Sequence, residues 1–121
     1  VNINDFDRLY RRTLTAAGVT GETVRLRLKP ISAKKLRVLT HVTVENQTSP
    51  YTKCRLGIIN GGMDHYLDEL TTIAADELAV SRSDIILGEG DVFFAELTDT
   101  SNNDLLVMTC VGWELGLKGK G

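Results

Sequence analysis

Polar and apolar residues change places at every second position along most of this chain. Val24, Leu26 and Leu28 alternate with Arg25, Arg27 and Lys29, which predicts a half-buried strand with a basic outer face, ended by Pro30. Leu36, Val38, Thr40, Val42 and Val44 alternate with Arg37, Leu39, His41 and Thr43, a long strand suited to its β-branched residues. ENQTSPY at 45–51 reads as a turn or loop, and TKCRLGII at 52–59 as a third strand. The NGG at 60–62 supplies the positive-φ residues of a tight turn.

Residues 63–83 fit two readings. Leu67, Leu70, Ile73, Ala74 and Leu78 partly fit a helical face over 64–79. The turn-rich, strand-like flanks favour a strand holding Tyr66 and Leu67, then a loop and a second short strand. Beyond, IILGEGDVFFAEL is two apolar runs around a Gly-Glu-Gly-Asp turn, and DTSNND at 99–104 reads as a hairpin loop. LLVMTCVGWEL at 105–115 is apolar enough for a strand buried on both faces, Trp113 included. Seven or eight short strands with turn signals between them predict a single all-β domain, a sandwich or a barrel, and a β-sandwich is the favoured form.

The first twenty residues read differently. Phe6, Leu9, Tyr10 and Leu14 form a helical stripe, capped by Asn4 or Asp5, while Tyr10, Arg12, Leu14 and Ala16 alternate as an extended arm would. Gly18 and Gly21 end the segment either way. The chain thus divides into an N-terminal arm or helix at 1–21, a sandwich at 22–115 and a flexible tail at 116–121.

Composition agrees with one ordinary globular core: 121 residues, 42% hydrophobic and 25% charged. No apolar run reaches membrane-span length, and the opening VNINDFDRLYRR lacks the layout of a secretory signal. Aromatic residues are only 6%, which argues against a stacking platform for bases or sugars. The net charge of -2 hides an asymmetry: residues 1–55 carry a balance of +7 and residues 56–121 a balance of -9. Such blocks either steer assembly with a charged partner or cancel where strands from the two halves interleave.

Candidate chemistry is sparse. His41 and His65 are too far apart for a paired-histidine metal site. MDHYLDE groups His65 with Asp64, Asp68 and Glu69, which suits a cation only if the segment folds compactly; a solvated acidic loop or strand edge is the preferred reading. There is no GxSxG, phosphate loop or dinucleotide fingerprint, and no cofactor is called for. Cys54 and Cys110 lie in apolar runs and read as small buried hydrophobes; a disulfide between them is the less favoured alternative. Arg8, Arg11 and Arg12 could touch phosphates, but the acidic chain favours pairing with acids on a neighbouring protein. Arg25, Arg27, Lys29, Lys34, Lys35 and Arg37 extend that basic patch.

A short basic arm, then KKLRVLTHVTVENQTS, RLGIINGG, LGEGDVFFAEL and VMTCVGWEL, resembles the small jelly-roll-like β-sandwich proteins of tailed-phage virions. Capsid decoration (cement) proteins come first in that resemblance, and head–tail connector or tail accessory proteins second. It implies a non-enzymatic virion part, assembled in the host cytoplasm, that docks on the major capsid protein or another virion protein as a homo-oligomer on the shell. Nucleic acid and membrane are not expected partners. The expected interface is Phe6, Leu9 and Tyr10 as apolar anchors, with Arg8, Arg11 and Arg12 making charge-assisted bonds. Deleting 1–20 would then leave the sandwich folded but undocked. The alternative is a free-standing jelly-roll module binding a glycan or another surface ligand.

Overall fold

The computed structural model describes residues 8–74, 79–81 and 84–116, all of them strand or loop. Among these residues nine strands run in chain order: β1 (Arg8–Ala17), β2 (Val24–Arg27), β3 (Lys35–Asn46), β4 (Tyr51–Asn60), β5 (Met63–Ile73), β6 (Ala79–Ser81), β7 (Ile85–Leu87), β8 (Val92–Thr98) and β9 (Leu105–Gly116). They form two antiparallel sheets. Sheet A has the order β1-β9-β3-β6, with β7 also on β3; sheet B has the order β2-β8-β4-β5. β6 and β7 follow each other along one edge of β3, as two halves of an interrupted strand. With those halves taken as one, the connectivity is the eight-strand double Greek key of a jelly roll. The expected all-β sandwich is therefore what forms, and the strand reading of 63–83 holds for the residues described there.

The core fills the space between the sheets. Leu39, Val42, Val44, Leu106, Met108 and Cys110 from sheet A meet Leu26, Cys54, Leu56, Phe93, Ala95 and Leu97 from sheet B. Cys54 and Cys110 are free, buried thiols on opposite sheets. Burial pushes both up to about 12, so they stay protonated and behave as small hydrophobes.

Four expectations are corrected. First, residues 8–17 are neither helix nor separate arm. They are β1, paired with β9 residue for residue from Arg8↔Glu114 to Ala17↔Leu105. Alternation wins because Tyr10, Leu14 and Ala16 then all pack on the core. The remaining arm residues 1–7 and the tail from 117 lie outside the described residues, and Gly116 belongs to β9. Second, the alternation in β3 breaks at a bulge between Leu39 and His41. One extra residue reverses which side chains face inward, so Leu39 enters the core and Val38 turns to the outer face beside Trp113. Third, residues 99–104 do not close a hairpin. They carry the chain from β8 in sheet B to β9 in sheet A, with Asp99 and Asn103 at positive φ. Fourth, the strand buried on both faces is β8, not β9. Phe93, Ala95 and Leu97 face the core while Phe94 and Glu96 are covered from outside; the outer residues of β9 are part-buried, Trp113 among them, or exposed, as Leu105 is.

The 99–104 crossover is held by a buried polar knot. Asp104 accepts bonds from Asn46 Nδ2 at 2.9 Å, the Ser101 amide at 2.7 Å and Ser49 Oγ at 2.9 Å. Burial acts to raise the carboxyl's pKa, but those three donors outweigh it and hold it below the usual carboxylate range. A depressed folded-state value means that this stabilisation is present above the unfolded pKa and lost as pH falls through the folded one. Asp104→Asn should therefore lower stability by about 2 kcal/mol at pH 7. It should also flatten the loss of stability below about pH 4 relative to the parent. Thermal scans between pH 7 and pH 3 check this; parallel acid curves for the two proteins would refute it.

Candidate interaction surfaces

The outer face of sheet B is a charge ladder. Register sets Arg25 on β2 beside Glu96 on β8, Glu96 beside Arg55 on β4, and Arg55 beside Glu69 on β5. Arg25 Nε donates to Glu96 Oε2 at 2.8 Å and its Nη2 to Asp64 Oδ2 at 2.6 Å; Arg55 Nε donates to Glu69 Oε1 at 2.6 Å. The bond to Arg25 holds the Asp64 carboxyl below its ordinary value. Under the ladder lies Phe94, fully buried although it faces outward. The Arg25 guanidinium sits 4.4 Å from its ring centroid, and Tyr66 packs edge-on at 5.8 Å. Gly57 makes this possible, since a Cβ there would stand 2.7 Å from the Phe94 ring. In MDHYLDE the strand sends Asp64 and His65 to opposite faces, and Asp64 and Glu69 are engaged by arginines.

A second charged group closes one end of the sandwich. Arg37 Nη2 donates to Glu114 Oε2 at 2.6 Å, with both side chains largely buried, and its guanidinium stacks 3.8 Å from the Tyr10 ring centroid. In Arg25–Glu96, Arg37–Glu114 and Arg55–Glu69, a base from the first half of the chain meets an acid from the second. Of the two readings of the charge asymmetry, cancellation between interleaved strands accounts for Arg25, Arg37 and Arg55.

What remains exposed differs from the expected interface. Phe6 lies outside the described residues, and Arg8 is placed by its backbone at the start of β1. Tyr10 faces its own core and Arg37. Leu9 is 50% exposed on the outer face of sheet A, and Arg11 and Arg12 are exposed, with no carboxylate partner among the described residues. Register aligns Leu9 with Trp113, Val38 and Ile86, an apolar row across four strands ending in Ile86 at 59% exposure. Separate in sequence, these four residues gave no joint signal.

The other overlooked surface is β5. It is an edge strand exposing Met63, Tyr66, Leu67 and Leu70. Between it and the β6–β7 edge lies a cleft of about 330 Å³, with Leu56, Ile58, Leu67 and Ile85 as apolar walls and Asp68 and Asp84 at its rim. Among the described residues there is no cluster of three metal-ligating side chains.

No family model and no curated protein matches the chain. Solved structures do share its fold. One chain, from the acid-stable capsid structure of the Helicobacter pylori bacteriophage KHP30, aligns with a TM-score of 0.50 at 16% identity, over 86% of this chain and 94% of that one. A chain from disulfide-linked Bacillus endospore appendage pili aligns at 0.46 and 9% identity over 91% and 89%. A carbohydrate-binding module, CBM4, aligns at 0.37 and 11% identity over 86% and 83%. At these identities the shared property is the β-sandwich itself, which hosts many unrelated functions.

Proposed function

We propose that this protein is a non-enzymatic structural subunit of a phage virion, which docks on the capsid and stabilises it through many simultaneous contacts with the major capsid protein. The observation that carries the reading is the fold match, over 86% of this chain and 94% of the other, to a chain in a phage capsid. The physical character of the molecule supports it. The interior is packed with side chains, both thiols are held protonated, and the charges of sheet B are tied into a rigid ladder. A rigid block suits docking, because little side-chain entropy is lost when its faces are covered. Weak individual contacts suffice, since repetition over a lattice multiplies them.

The docking face in this reading is the outer face of sheet A, with Leu9 and Ile86 as exposed apolar anchors and Arg11 beside them. Sedimentation with empty capsids tests it. The parent protein should pellet with the shells, and Leu9→Glu combined with Ile86→Glu should cut occupancy at least about tenfold while leaving the melting temperature near the parent's. A purified protein that ignores capsids but binds glycans on an array would replace this reading with the binding-module alternative.

A further inference from the structure

The two long edges of the sandwich are open and oppositely charged. β1 ends sheet A and β5 ends sheet B, on opposite sides of the molecule, and among the described residues no strand pairs with the outer edge of either. They match in length, at ten and eleven residues. An edge of this length is a template for another strand unless something blocks it. Neither strand contains proline; charge does the blocking, with a different sign on each edge. β1 presents Arg11 and Arg12, with Arg27 and Lys29 exposed on and just beyond the neighbouring β2. β5 presents Asp68, and beside it Glu69, which Arg55 already engages from β4; Asp84 lies across the cleft.

Like charges therefore oppose pairing of β1 with β1 and of β5 with β5, while β1 against β5 brings opposite charges together. The faces agree as well. Arg12 stands on the core side of sheet A, opposite Cys110, and Asp68 on the core side of sheet B, opposite Leu56. Arg11 and Glu69 stand on the outer sides. Joined antiparallel about their midpoints, the two strands set Arg12 against Asp68 and Arg11 against Glu69. Leu67 and Leu70, exposed on β5, gain cover.

We propose that copies of this chain associate head to tail, β1 of one copy adding antiparallel to β5 of the next, so that sheet A of each subunit continues into sheet B of its neighbour. The contact is heterologous and builds a ring where it closes and an open chain where it does not. It does not depend on the capsid reading and is tested without capsids.

Sedimentation equilibrium of the purified full chain at low and high salt, with Arg12→Glu and Asp68→Arg, decides it. The parent should self-associate at low salt and dissociate as salt screens the exposed pairs. Each single variant should self-associate at least about tenfold more weakly, with an unchanged thermal melt, since both side chains are exposed. An equimolar mixture of the two variants should recover association, because each then offers the other an opposite charge at every junction. A parent monomeric at all concentrations, a single variant as associated as the parent, or a mixture no more associated than its components would overturn the proposal.

Discussion

Removing residues 1–17 should abolish cooperative folding rather than yield a trimmed sandwich. β9 lies at the centre of sheet A, and every β1 residue from Arg8 to Ala17 is registered against it. Truncation makes β9 an edge, strips Tyr10, Leu14 and Ala16 from the core, and leaves the largely buried Arg37 without the ring it stacks on. Tyr10 and Leu14 are part-buried, so each contributes less than a fully buried large apolar side chain, which is worth about 1.5–3 kcal/mol. With the lost strand pairing, the total approaches the whole stability of about 5–15 kcal/mol typical of a domain. The 18–121 fragment should show no sharp thermal transition and a collapsed near-ultraviolet circular dichroism signal, and a synthetic 1–17 peptide should restore part of both. A fragment melting within a few degrees of the parent would show that β1 is dispensable.

Gly112→Ala should be the most damaging single-methyl change in the protein. Gly112 faces Leu39 at the β3 bulge. A Cβ there would overlap the Val38 carbonyl oxygen and lie 2.8 Å from Val38 C and 2.9 Å from Leu39 Cα. All three atoms are backbone of a central strand, so none can swing aside. Overpacking of this kind costs about 3 kcal/mol, which in a chain of this size lowers the melting temperature by about 10 °C. Gly88→Ala is the internal control: open space surrounds that position, and its φ is not in the left-handed region. It should stay within about 0.5 kcal/mol of the parent. Equal melting temperatures for the two variants would mean that the bulge can relax around an added methyl.

Much of the fold was legible because strand periodicity is local. The positions of β2, β4 and the NGG turn follow from residues adjacent in the chain; Gly61 and Gly62 take the positive φ that a two-residue hairpin demands. The bulge in β3 was not legible, because its cause sits on another strand: Gly112 leaves room that no pattern within 36–44 records. Phe94 misleads for the same reason. Its position points it outward, and Arg25 and Tyr66, from strands distant in sequence, cover it. Of the surfaces, Arg11 and Arg12 were visible as a charged run, but Tyr10 beside them turned out to serve its own core.

The order of polar and apolar residues was enough to determine an all-β chain with a sandwich core, because each strand's buried face is written in its own alternation. The strand order, the partners of the charges and the status of residues 8–17 were decided only in three dimensions. A basic first half and an acidic second half look like two surfaces until the jelly roll threads β2, β3 and β4 beside β8, β9 and β5. Which arginine meets which glutamate then depends on cross-strand register, a property of pairs of segments up to 77 residues apart that neither segment carries alone.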